Sequence, residues 1–130
     1  MTVTVDSVSS NTMADDLNGA TSIGAGHELR LYSSGDVLLA QMAYTGSGVV
    51  STSGGAEVIT YSEANYTDDE TPVAAGTASY ATIHRMAATA REVVRFTDPT
   101  TELGLSSTAI LTTEPVRVTT DVVVKLPAST

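Results

Sequence analysis

The chain has no cysteine and no tryptophan, one phenylalanine, and six basic residues against fifteen acidic ones. Each shortage excludes something. Without cysteine there is no disulfide framework and no thiolate-ligated metal, and the composition suits synthesis in a reducing cytoplasm. With aromatic residues at 5%, the core has to be assembled from Val, Leu, Ile, Ala and a handful of Tyr. Each buried side chain then contributes modestly, and such a core gains from assembly with neighbouring chains. The six Lys and Arg are scattered from Arg30 to Lys125 under a formal net charge of −9. Clustered cations that could displace counterions from phosphate are missing, which argues against nucleic acid and against an anionic membrane surface as partners. The acidic balance favours solubility and docking on a basic surface. Residues 1–6 show neither the basic start nor the apolar run of about 7–15 residues that a secretory signal uses. No stretch approaches the ~20 apolar residues of a membrane-spanning helix.

What is present is β texture. At 130 residues the chain is long enough for one domain with a real core. Residues 116–126 alternate: Val116, Val118, Thr120, Val122, Val124 and Leu126 on one side, Arg117, Thr119, Asp121 and Lys125 on the other, with Val123 the one apolar exception. A strand turns successive side chains to opposite faces, so this run predicts a strand with one buried and one wet face, as in an antiparallel sheet. Residues 27–32 alternate with Leu29 and Leu31 inward, Ser33-Ser34-Gly35-Asp36 is a turn cluster, and residues 37–44 complete a hairpin. Residues 46–55, dense in Gly and Ser, read as a flexible loop with room for a short strand at Val49-Val50. Residues 56–61 are β-prone, with Val58 and Ile59 on opposite faces. Residues 66–72 form an exposed acidic loop ending at Pro72. Residues 77–86 and 91–97 are strands, Asp98-Pro99 is a turn, and residues 103–112 hold one or two short strands. Near the start, residues 2–6 are β-prone, and a short helix is expected over residues 11–17, with Asp15 and Asp16 suiting its dipole and Asn18-Gly19 stopping it. The sum is an all-β chain: a single antiparallel β-sandwich or Greek-key barrel of about seven or eight strands. Residues 1–8 would be an extended arm or edge strand, residues 9–127 the sandwich, and one short N-terminal helix would accompany it.

The residues that could carry chemistry do not assemble into a motif. His27 and His84 each sit alone in a strand pattern, where a zinc site needs about three or four converging ligands; both are expected to be half-buried strand residues. Asp68-Asp69-Glu70 offers carboxylate oxygens of the kind calcium takes, but without the spacing of an EF-hand loop, so a solvated acidic loop is the expectation. Gly24-Ala25-Gly26 and Gly46-Ser47-Gly48 are fragments of phosphate loops that complete neither known pattern, and no G-x-S-x-G elbow is present. Tyr32, Tyr44, Tyr61, Tyr66 and Tyr80 suit core or interface positions, with a carbohydrate platform as the other use. No catalytic residue, metal ligand or cofactor site is assigned, and the chain is read as non-enzymatic.

The order of the pieces adds a resemblance. Leu17-Asn18-Gly19 closes the expected helix, Leu29-Arg30-Leu31-Tyr32 follows in a strand, Gly76-Thr77-Ala78-Ser79-Tyr80 opens a later one, and Leu103-Gly104-Leu105-Ser106-Ser107-Thr108-Ala109-Ile110 precedes the last alternating run. This order resembles a group of small virion proteins of tailed bacteriophages, over residues 11–126. The stretch 85–97 departs from the pattern in lacking an Asp-Gly turn, and residues 2–6 lie outside it. The resemblance implies a virion structural protein made in the host cytoplasm. The favoured role is a capsid decoration (cement) protein that docks on the major capsid protein lattice as a homo-oligomer, a trimer being the guess. A tail or head–tail joining component is the alternative within virions. A carbohydrate-binding β-sandwich of an adhesin or fibre is the alternative of another class. On this reading Val3 and Val5, with Met13 and Leu17, are the expected partner contacts; Met13 and Leu17 could equally close one end of the sandwich.

Overall fold

A computed structural model describes residues 26–46, 48–53, 56–86 and 91–125. The expected helix over residues 11–17 and the arm over residues 1–8 lie outside these residues. The chain is all-β. Among the described residues nine strands follow one another: β1 (Glu28–Tyr32), β2 (Leu38–Ala43), β3 (Val49–Ser53), β4 (Ala56–Tyr61), β5 (Gly76–Thr77), β6 (Tyr80–Arg85), β7 (Arg91–Phe96), β8 (Ala109–Ile110) and β9 (Val122–Lys125). They form a four-stranded sheet in the order β2-β1-β6-β7, a three-stranded sheet β3-β4-β9 and a two-stranded ribbon β5-β8. Every pairing is antiparallel.

Sequence pattern explains the central hairpin. Leu29 and Leu31 are fully buried, as their alternation requires. The turn closes when Ser33 N donates to Val37 O (3.0 Å) and Asp36 N to Ser33 O (3.0 Å). Asp36 carries φ +64°, a left-handed conformation that a short polar side chain tolerates. Elsewhere pairing overrides composition. The short strand allowed at Val49-Val50 within the Gly/Ser-rich stretch is present and runs on to Ser53 as β3, which matches β4 across five positions from Val49↔Thr60 to Ser53↔Ala56. Val58 and Ile59 take opposite faces, yet both are buried. The run expected as one strand over residues 77–86 changes partner midway: β5 pairs with β8, Ser79 N then donates to Tyr32 O (2.7 Å), and β6 pairs with β1. Asp98-Pro99 opens a single helical turn, Pro99–Glu102, rather than a bare turn, because the Asp98 side chain accepts from Thr100 N as an N-cap.

The last alternating run is also broken. Val116 bridges to Asp69 and Val118 to Leu105, whereas β9 joins β4. Between them Thr119 N donates to Gly104 O (2.8 Å), and the Thr120 side chain lies against Gly104 in space that any Cβ there would occupy. Thr120 is therefore exposed, contrary to its expected place on the buried side. The four valines of that side hold: Val116, Val118, Val122 and Val124 are buried.

The inward residues of both larger sheets meet in one hydrophobic cluster. Leu29, Leu31, Met42, Ile83 and Phe96 come from the four-stranded sheet, Ile59, Tyr61, Val122 and Val124 from the three-stranded sheet, and Ile110 from the ribbon. Val122 is 0% exposed and Val123 42%, so the two positions separate burial from local propensity. Val122→Asp places an unpaired carboxylate in this core and is expected to abolish the cooperative urea transition. Val123→Asp should shift stability by no more than about 0.5 kcal/mol. Equal tolerance of both substitutions would mean that the faces of β9 are assigned wrongly.

Candidate functional site

The described residues place the polar and aromatic side chains in three groups. The first is internal. His27 precedes β1 and shares its inward parity with Leu29 and Leu31, so the ring enters the core and is fully buried, not half-buried as expected. Tyr44 at the end of β2 stacks on it, with centroids 4.6 Å apart and planes at 14°. Tyr61 at the end of β4 meets it edge-on at 4.7 Å. A 3-10 turn, Glu63–Asn65, then brings Tyr66 round, and its hydroxyl shares a 2.7 Å hydrogen bond with His27 Nε2. Tyr44 and Tyr66 are also backbone bridge partners. Three of the five tyrosines are thereby committed to the interior. The signal for this group was present in the parity of His27; the meeting with Tyr61 and Tyr66 depends on tertiary pairing.

Burial, with Tyr44 beside it, raises Tyr61 above the ordinary phenol value of 10.0. Burial, with Tyr61 and Tyr44 beside it, does the same to Tyr66. Such a site keeps these phenols protonated and linked to folding.

The second group covers the outer face of the four-stranded sheet. Tyr32 and Tyr80 are cross-strand partners and stack at 5.0 Å with planes at 8°. From the β7 side, the Arg95 guanidinium lies 4.3 Å from the Tyr80 centroid, a cation–π contact. Tyr80 Oη donates to Asp36 Oδ1 (2.8 Å), and this bond raises the phenol pKa further. Arg95 is held by Glu92 through two bonds of 3.1 and 2.8 Å, and Arg30 Nε donates to Glu28 Oε1 at 2.8 Å. Thr82, with Arg30 and Arg95 as its cross-strand partners, is 1% exposed. Half-buried His84 sits beside Glu28 and Glu92 in the same register scheme. Burial, then the Arg30 charge, lowers its pKa below the histidine value of 6.5. Both faces of Tyr80 are occupied, one by Tyr32 and one by Arg95, so it offers no open ring on which a sugar could stack.

The third group is the acidic segment. A surface cavity of about 280 Å³ is lined by Glu28, Gln41, Thr67, Asp68 and Asp69, among others. Its carboxylates are largely structural. Asp69 Oδ2 accepts from Gln41 N (2.9 Å) and Oδ1 from Thr71 N (3.1 Å), and the Asp69 backbone exchanges two hydrogen bonds with Val116. Asp69 is thus half-buried rather than freely solvated, whereas Asp68 and Glu70 are exposed as expected. Among the described residues no set of three or more His, Asp or Glu gathers to hold a metal ion. The expected partner contacts Val3, Val5, Met13 and Leu17 lie outside the described residues.

Two outcomes follow from the internal group. Tyr66→Phe removes one partner of a buried hydrogen bond and should cost about 1–3 kcal/mol in urea unfolding; no loss would mean that the His27–Tyr66 bond is not formed. Tyr61 and Tyr66 bind their protons more tightly folded than unfolded. Stability should therefore be intact below pH 10.0, the ordinary phenol value, and fall as pH rises above it. In an absorbance titration the phenolate signal of these two should appear only with unfolding. Ionisation of all five tyrosines near the ordinary value in a still-folded chain would contradict the buried arrangement.

Compared with protein-family models, with curated protein sequences and with solved structures, the chain matches none.

Proposed function

We propose that this chain is a non-enzymatic structural protein of a tailed-bacteriophage virion, a decoration protein that docks on the major capsid protein lattice. The reading rests on the resemblance over residues 11–126, and what supports it is where the similar pieces fall. In Leu29-Arg30-Leu31-Tyr32 the two leucines are fully buried in β1. The run Gly76–Tyr80 carries the chain from β5 into β6 and buries Ala78. The run Leu103–Ile110 buries Leu103 and Ile110 and pairs Leu105 with Val118. These pieces supply buried residues to the core, so the resemblance falls on positions that the fold depends on. We read the four- and three-stranded sheets as the two leaves of a β-sandwich. The shared cluster formed by their inward residues supports that reading.

A net charge of −9 suits a partner with a basic docking surface. Val3, Val5, Met13 and Leu17 remain the contacts assigned to that partner.

Cryo-electron microscopy of particles from the source, with the chain fitted into density, tests this reading. Many copies on the head exterior against the major capsid protein are expected. Density confined to a vertex or to the tail would replace decoration with a joining or tail role. Particles without the chain would overturn the virion reading altogether.

A further inference from the structure

A sheet leaves a row of backbone N–H and C=O groups along each edge, and such an edge pairs with another strand unless it is covered, charged or broken by proline. The two larger sheets end in β2 and β7 and in β3 and β9. Residues 66–74 cover β2: Thr67 N donates to Ala43 O (2.8 Å), Ala74 N to Leu39 O (3.4 Å) and Gln41 N to Asp69 Oδ2 (2.9 Å). β7 includes Glu92 and Arg95, both exposed. β9 ends in the exposed Lys125. β3 has none of these guards.

β3 reads Val-Val-Ser-Thr-Ser. No charged residue stands between Asp36 and Glu57, and no proline precedes Pro72. On one side β3 pairs with β4 along its whole length. On the other side no strand lies beside it among the described residues. The register sets Val49, Thr60 and Val123 in one row across the sheet, with Val49 65% and Val123 42% exposed. In a chain of net charge −9, two copies repel wherever charged surfaces of the same kind face each other. β3 is the edge at which like can meet like without opposing charge.

We propose that two copies of this chain pair edge to edge through β3, antiparallel about a two-fold axis normal to the sheet. Such an axis sets one residue opposite itself. Full overlap of the five-residue strand makes that residue Ser51, with Val50 opposite Thr52 and Val49 opposite Ser53 of the second copy. The contact is isologous, the same surface on both copies. It joins the two three-stranded sheets into one, in the order β9-β4-β3-β3-β4-β9. The ends of the joined sheet are the β9 strands with their Lys125, so growth stops at two copies. The exposed Val49 of each copy is carried to the middle of the joined sheet. The inference does not depend on the virion reading, and it gives a pair where the resemblance suggested a trimer.

Sedimentation velocity and one introduced cysteine test it. The full chain is run across a concentration series at about 0.05 M and about 0.5 M salt, where screening of exposed charge differs strongly. A dimer is expected that holds as well or better at the higher salt, because the contact uses no ion pair and salt screens the repulsion between copies. Ser51→Lys and Ser51→Glu should each be monomeric, since the axis sets each charge opposite itself. Mixing the two should restore a dimer. Circular dichroism establishes that each variant is folded, and either one carries the test if the other is not. The register is read by cross-linking. The chain has no cysteine, so Ser51→Cys forms a disulfide only between copies. Opposite residues of an antiparallel pair have Cα atoms about 4.5–5.5 Å apart, within the range a disulfide spans. After oxidation with glutathione disulfide, Ser51→Cys should give a covalent dimer and Lys125→Cys on β9 should not. A wild type that is monomeric at every concentration, a dimer that survives the charged substitutions, a mixture that stays monomeric, or cross-linking of Lys125→Cys equal to that of Ser51→Cys would each overturn the proposal.

Discussion

The knot of His27, Tyr44, Tyr61 and Tyr66 is the contact on which the rest of this fold depends. His27 and Tyr44 flank the hairpin of the four-stranded sheet, and Tyr61 ends the central strand of the three-stranded sheet. Tyr66 begins the segment that covers the edge of β2. The three tyrosine rings lie 4.6 to 5.5 Å from that of His27, and the Tyr44 ring lies 5.3 Å from Tyr61 and 4.7 Å from Tyr66. In a chain with so few aromatics, four of the largest side chains with hydrogen-bonding groups are spent at one place. Aromatic pairs contribute about 0.5–1.5 kcal/mol each beyond the area they bury. The shared hydrogen bond between His27 and Tyr66 fixes which ring edges meet. Around the knot the backbone is tied as well: Tyr44 N donates to His27 O, Thr45 N to Asn65 O and Thr67 N to Ala43 O. The joint thus positions one sheet against the other and starts the acidic covering segment in one place.

From that joint the polar layout follows. Once residues 66–74 are led across β2, the acidic residues of that segment take one edge of the sheet. The hairpin β6–β7 lies on the other side of β1, with Arg95 held by Glu92. The outer face between the edges is closed by a row of stacked planar groups, Tyr32, Tyr80 and Arg95, pinned by Asp36 and Glu92. Tyr80, between Tyr32 and Arg95, has its ring used internally, which suits a flat contact surface more than a pocket.

Much of the framework was legible in the sequence. Alternation placed Leu29 and Leu31 inward, and Val116, Val118, Val122 and Val124 with them, because a period of two needs only local geometry. The Ser33–Asp36 turn was legible for the same reason. What was not legible depended on distant partners. The strand begun at Val49-Val50 extends through Ser51, Thr52 and Ser53 because β4 offers five matched positions. Thr120 leaves its expected face because Gly104, sixteen residues away in sequence, admits it against the backbone. His27 shows the middle case: its parity was readable, but three tyrosine rings close around it only after the sheets are placed. Arg30 and Arg95 behave alike, since strand order alone brings them to either side of Thr82.

The central claim is that the aromatic joint makes the two larger sheets one cooperative body. Native-state hydrogen exchange on the folded chain tests it most directly, through the amides of β1 in the four-stranded sheet and β4 in the three-stranded sheet. If the joint holds as described, the slowest amides of both strands open with the same free energy and respond equally to low denaturant. Two distinct opening free energies, with β4 and β9 exchanging long before β1 and β6, would contradict it.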